Sequence, residues 1–194
     1  MPLPREFYSR DTVTVARDLL GMILVHRIGG RTMSGVISET EAYGHADDPA
    51  SHACRRMTRR NRIMFGPVGM SYVYFTYGMH YCFNATARDV RNADAGAVLI
   101  RGIMPREGIA AMMRNRGTTD TRILADGPAK LAQAMEISAE QYGEDLTAGA
   151  GLYITGNPEY EHGGGGGGGG RITASPRVGI REAADRLWNF KLDA

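Results

Sequence analysis

The chain has 194 residues, 43% of them hydrophobic, which is enough for one domain with a substantial core. No run of 18 apolar residues occurs, so no helix is expected to span a membrane, and the first five residues lack the apolar centre of a signal peptide. Two cysteines, Cys54 and Cys82, make neither a disulfide framework nor a zinc site and point to an intracellular protein with free thiols.

The net charge of +2 hides an asymmetry. Residues 1–122 hold 17 arginines against 11 acids, and residues 123–194 hold 6 basic residues against 10 acids. A split of this kind suggests one anion-facing side. Nearly all the positive charge is arginine, whose fork matches phosphate geometry, although a GC-rich genome would produce the same bias.

Asp11 and Thr12 cap a short helix with Val13, Ala16, Leu19 and Leu20 on its inner face and Gly21 as its stop. Residues 22–28 are β-rich, Gly29 and Gly30 read as a hairpin turn, and residues 31–43 form the returning strand. On that strand Val36, Ser38 and Thr40 alternate with Ile37, Glu39 and Glu41. Ile37 then shares a face with two carboxylates, which is odd for a strand that only fills a core, because carboxylates are seldom buried without partners. Either the strand end emerges into solvent, or Glu41, Tyr43 and His52 wall a polar pocket.

Arg55, Arg56, Arg59, Arg60 and Arg62 follow within eight residues. A charge run is usually a solvated face or a disordered arm. This one lies between a polar loop and an apolar strand, a place that favours a phosphate-binding loop of the kind that positions a protein on nucleic acid. Residues 71–84 are rich in aromatic and β-branched side chains and broken only at Tyr77 and Gly78, which predicts a hairpin with Tyr77 at or near its tip and Met79 beside it. Tyr72 and Tyr74 share one face; His80, Cys82 and Asn84 share another alternation. The plain reading is a half-buried sheet with tyrosines at its edge. An aromatic tip beside an arginine cluster is also the form of a base-stacking wedge.

Residues 95–103 form a strand with Arg101 inside an apolar run, where a charge must be paired or functional. Pro105 is expected to start a helix through Asn115, with Ile109, Met112 and Met113 inward and Gly117 just past its end. Residues 118–125 are a connector. Asp126, Gly127 and Pro128 start a second helix with Leu131, Ala134 and Met135 inward. Short strands follow at residues 151–155 and 171–175, and residues 188–192 close the sheet. Between them, His162 precedes eight glycines, Gly163 to Gly170, a flexible connector of roughly 16 Å span from which no function is drawn.

No phosphate-binding glycine loop, dinucleotide fingerprint or zinc motif appears. His45, Asp47, Asp48 and His52 include cation-ligand types, but alanines and a proline crowd their loop and no helical spacing fixes them. A pocket carboxylate, several tyrosines, an arginine loop and an aromatic hairpin tip fit an enzyme that draws one base out of duplex DNA. A lesion-binding module would share all of these except the need for Glu41.

The blocks Glu39 to Tyr43, Arg60 to Arg62, Tyr72 to Tyr74, Tyr77 to Met79, Asn84, Asp126 to Leu131 and Pro176 to Gly179 closely resemble the alkyladenine (3-methyladenine) DNA glycosylase family, in order along nearly the whole chain. The resemblance implies a mixed α/β (α+β) fold, one domain over residues 1–194 built on a curved antiparallel sheet with flanking helices and a protruding hairpin. It implies monofunctional cleavage of the N-glycosidic bond of alkylated or deaminated purines in double-stranded DNA, with no cofactor and no metal. By position Glu41 matches the base that activates water, Arg101 helps to hold that water, and Val178 offers it a backbone carbonyl. Tyr43, His52 and Tyr74 match the walls around the flipped base, and Asn84 matches the side chain that discriminates against guanine's amine. Tyr77 matches the wedge, with Met79 beside it, and the arginine loop grips the DNA backbone. Asn189 stands where the resemblance leads one to expect arginine. A monomeric, cytoplasmic, bacterial protein is expected.

Overall fold

Local signals set most of the elements. The computed structural model describes residues 1–76, 78–160 and 170–193; Tyr77 and the glycine run apart from Gly170 lie outside the described residues. After α1 (Arg5–Tyr8), Asp11 caps α2 (Thr12–Asp18) by accepting the Thr14 N–H at 2.9 Å. Gly29 and Gly30 both adopt positive φ (55° and 72°), the twist that a two-residue hairpin needs, and join β1 (Ile23–Ile28) to β2 (Arg31–Tyr43). A second hairpin pairs β3 (Ser71–Thr76) with β4 (His80–Thr86). Then come β5 (Ala97–Glu107), α3 (Ile109–Arg116), α4 (Pro128–Ala134), β6 (Leu152–Thr155), β7 (Ile172–Ser175) and β8 (Asn189–Leu192). The strands form one curved antiparallel sheet in the order β3-β4-β5-β2-β1-β6, with β8 joining β2 and β7 pairing β8.

The sheet has two faces with different tasks. Val73, Phe83, Val98, Ile100 and Ala42 point into the main core, against which α2 and α4 pack. Their neighbours Tyr72, Tyr74, Cys82, Asn84, Leu99 and Glu41 point the other way, into a cavity. Period-two alternation therefore divides β3, β4, β5 and the end of β2 between packing and chemistry.

Ile37 does not share a face with Glu39 and Glu41. In the β2–β5 register Ile37 pairs with Ile103, Glu39 with Gly102 and Thr40 with Ile100, which leaves Ser38 on β2 and Arg101 on β5 each without a partner. These opposed irregularities flip both strands. Ile37 and Ile103 lie in the core, whereas Glu41 and Arg101 line the cavity. Bulges re-aim side chains in this way next to functional sites.

Pro105 does not start a helix either. It lies in β5 opposite Gly35, at another register shift, where a missing N–H is tolerated. Gly108 ends the strand and precedes α3 with a φ of 72°; a Cβ there would come within 2.4 Å of the Thr32 carbonyl oxygen. The connector at residues 118–125 contains one 3-10 turn, Thr121–Ile123, whose cap Asp120 accepts the Arg122 N–H.

Candidate active site

The cavity on the open face of the sheet encloses about 650 Å³, within the range of small-molecule pockets. Eight of the expected residues line it: Glu41, Tyr43, His52, Tyr74, Asn84, Arg101 and Val178, with Arg60 of the arginine loop. Tyr72 and Cys82 join them.

Glu41 is fully buried, and its carboxylate is met by four donors. Oε2 accepts the Tyr43 hydroxyl at 2.8 Å and Arg101 Nη1 at 3.4 Å. Oε1 accepts the Val178 N–H at 2.7 Å and Asn189 Nδ2 at 3.1 Å. It is the Val178 amide, not its carbonyl, that meets the carboxylate in this geometry. Burial and then the adjacent Glu41 charge drive the Tyr43 hydroxyl well above the usual phenol range, so it stays a donor. Arg101 also gives Nε to Glu39 Oε1 at 2.6 Å. Burial opposes its charge, but Glu41 and Glu39 outweigh that and raise its pKa.

A buried ion pair that the sequence reading did not single out braces this arrangement. Arg177 Nη1 and Nη2 donate to the two oxygens of Asp48, both at 2.7 Å, with both side chains fully buried. Nη1 also donates to the Ala42 carbonyl, and the guanidinium lies 4.7 Å from the Tyr43 ring centre and 5.1 Å from that of Trp188. Asp48 further accepts the Gly44 N–H at 2.9 Å. The pair thus ties the loop after β2 to the loop after β7 and delivers Tyr43 and the Val178 amide to Glu41. Of the four possible cation ligands, Asp48 is engaged by Arg177, and no group of three His, Cys, Asp or Glu suited to a metal occurs among the described residues.

The far wall is aromatic. His52 stands edge-on to Tyr74 with ring centres 4.7 Å apart, and its Nδ1 is 2.9 Å from the Tyr72 hydroxyl. Desolvation and then the Arg60 charge push its pKa down to about 4, so the ring is neutral at neutral pH, although the residue as a whole is partly open to solvent. Burial pushes the Tyr72 hydroxyl up to about 12. Asn84 is buried and donates Nδ2 to the Tyr72 carbonyl at 2.9 Å, which fixes its amide at the cavity floor. Cys82, whose thiol burial pushes up, lines the cavity beside Tyr74; both cysteines are free.

Arg55, Arg56, Arg59, Arg60 and Arg62 are all exposed, and Arg60 also lines the cavity. Their loop is shaped rather than slack. Asn61, which is buried, donates to the carbonyls of His52 and Arg56 at 2.6 and 3.0 Å and accepts the Thr58 N–H at 2.6 Å. Arg60 reaches back to lie 4.6 Å from the Tyr74 ring centre. At the hairpin turn Met79 is 69% exposed, and Tyr77 lies outside the described residues.

No described helix is long and apolar enough to cross a membrane. The model of the methylpurine-DNA glycosylase (MPG) family matches residues 6–194. A Carboxydothermus hydrogenoformans protein is 47% identical over 193 residues, covering 99% of this chain and 95% of its own. One from Methanoculleus marisnigri is 44% identical over 195 residues, with the same two coverages. One from Chlorobaculum tepidum is 43% identical over 187 residues, covering 96% of this chain and 85% of its own. All three bear the provisional name of a 3-methyladenine DNA glycosylase. With a match of this extent, laid over a cavity that gathers a buried carboxylate, an arginine and an aromatic wall, the chain belongs to the methylpurine-DNA glycosylase family.

Proposed function

We propose that the protein hydrolyses the N-glycosidic bond of an alkylated or deaminated purine flipped out of duplex DNA, with Glu41 as general base, and leaves an abasic site. The observation that carries this reading is the buried, fully hydrogen-bonded Glu41 carboxylate at the wall of a cavity lined by tyrosines and a histidine. Breaking a glycosidic bond builds oxocarbenium character on the sugar, and a carboxylate close by stabilises that charge while it deprotonates water. A carboxylate has about four lone-pair positions, and all four of Glu41 face donors. A water therefore reaches it by replacing the longest contact, that of Arg101 at 3.4 Å, after which Arg101 holds the water and the Val178 carbonyl offers a third contact. Tyr43, His52 and Tyr74 stack on or hydrogen-bond the base, and tyrosine faces attract a cationic alkylated purine more than a normal one. Asn84 meets the base edge and disfavours guanine's exocyclic amine.

The test is release of free base from duplex DNA carrying 3-methyladenine or hypoxanthine. Base release with strands intact until alkali is added identifies a monofunctional enzyme. Tight lesion binding without release would instead identify a recognition module, which has no need of a buried Glu41.

Two further outcomes concern the DNA grip. Arg59→Ala/Arg60→Ala should weaken binding to lesion and undamaged DNA alike and lower the salt slope of binding by about one unit for each lost phosphate contact. A salt slope equal to the parent's removes the loop from the interface. Tyr77, as a wedge, offsets part of the few kcal/mol that base extrusion costs. Tyr77→Ala should therefore slow release most from stably paired lesions and least from single-stranded substrate. Equal loss on both would place Tyr77 elsewhere.

A further inference from the structure

Around Glu41 the charges are uneven. Glu39 and Glu41 bring two carboxylates, and Arg101 brings one guanidinium that it shares, with its shorter contact on Glu39 at 2.6 Å and its longer one on Glu41 at 3.4 Å. Like charges this close repel each other. A neutral side chain offsets the conflict. Asn189 is buried on β8 directly opposite Glu41, and its Nδ2 gives one hydrogen to Glu39 Oε1 at 2.8 Å and the other to Glu41 Oε1 at 3.1 Å. On its far side Oδ1 accepts from the Ser175 hydroxyl at 3.3 Å, and Ser175 is its register partner on β7. Two acceptor-only carboxylates and one hydroxyl leave a single sensible orientation of the amide. The row Ser175, Asn189, Glu41 thus crosses three strands with every polar group paired.

We infer that Asn189 is a positioning residue for the base: its amide ties Glu39 to Glu41 and fixes both side chains in place without adding charge. The inference rests on Glu41 being the base. Because the amide is neutral, the group of Glu39, Glu41 and Arg101 keeps one net negative charge, which faces the cation developing on the sugar. A cationic side chain in the same place would cancel it. The other charged or titratable groups near Glu41 are Tyr43 on its own strand, Cys82 on β4, Arg177 in the loop after β7 and Lys191 across from Glu39 on β8; His52, Arg60, Tyr72, Tyr74, Arg181 and Glu182 line the same cavity, and none of these changes in the variants below.

The experiment is single-turnover base release from a hypoxanthine-containing duplex, followed against pH. Donors to a carboxylate favour its ionised form, so removing them moves the acidic limb of the rate profile to higher pH. Asn189→Leu, which keeps the branched outline at Cγ with somewhat more bulk and loses both donors, should release base roughly tenfold more slowly at the acidic end and within about threefold of the parent on the plateau. Asn189→Asp, which adds a third carboxylate, should move the limb further in the same direction. Both should bind lesion DNA as the parent does, which also reports that the site is folded; Asn189→Ser, which keeps a hydroxyl donor and little bulk, serves if either fails that control. An unmoved limb, or a loss equal at every pH, overturns the inference. A Glu41→Gln variant that keeps the parent rate would instead overturn the reading beneath it.

Discussion

Glu41→Gln is expected to release base about 10²–10⁴-fold more slowly than the parent, the usual cost of a lost general base, while still binding lesion DNA. Glutamine keeps the shape and one acceptor but takes no proton. Its fit can be followed atom by atom. The amide oxygen belongs on the side of the Val178 N–H and Asn189 Nδ2, neither of which can accept. The new NH2 then faces Tyr43, whose hydroxyl turns to accept, and Arg101, whose contact was already long at 3.4 Å. Binding survives because the aromatic walls and the arginine loop are untouched. Glu39→Gln should cost no more than about tenfold, because Glu39 serves by anchoring Arg101 and a glutamine oxygen still accepts from Arg101 Nε and Asn189. Single-turnover release at saturating enzyme reads the chemical step directly. A Glu41→Gln rate close to the parent's would move the catalytic carboxylate elsewhere.

What was legible in the sequence was mostly what neighbours in the chain decide. The Asp11 cap, the Gly29-Gly30 turn, the β3–β4 strands and the Gly127-Pro128 helix start each depend on a few adjacent residues, and each appears where local chemistry puts it. The cavity residues were named largely through the family resemblance, since alternation alone left a solvent-facing strand end open. The face of Ile37 was misjudged because a bulge belongs to two strands at once: nothing within residues 31–43 tells that Ser38 and Arg101 will go unpaired. Pro105 misled because a proline that opens a helix also sits comfortably at an irregular strand position, and Gly108, three residues later, carries the actual break. Asn189 stands where the family resemblance leads one to expect arginine. Its amide proves to hold two carboxylates that only the sheet brings near it.

The Asp48–Arg177 pair shows the same limit over 129 residues of separation, and it carries the largest expected effect on stability. Arg177→Met should destabilise the protein by about 3–5 kcal/mol, because it strands the Asp48 carboxylate in a site with no exposure. For a chain of this size that corresponds to a fall in melting temperature of roughly 6–20 °C. The loss is mostly the uncompensated charge rather than the worth of the bond. Arg177 Nε has no acceptor among the described residues, so even the intact pair carries a desolvation cost that contact with the Tyr43 and Trp188 rings partly offsets. The double variant Asp48→Asn/Arg177→Met removes both charges and keeps an acceptor for the Gly44 N–H. It should regain a large part of the lost stability in denaturant unfolding. Its base release should nonetheless stay low, because nothing then ties the loop after β2 to the Val178 segment or backs the Tyr43 ring. Full recovery of both stability and rate in the double variant would show the pair to be dispensable bracing; an Arg177→Met that unfolds like the parent would show that Asp48 is not held as a buried charge.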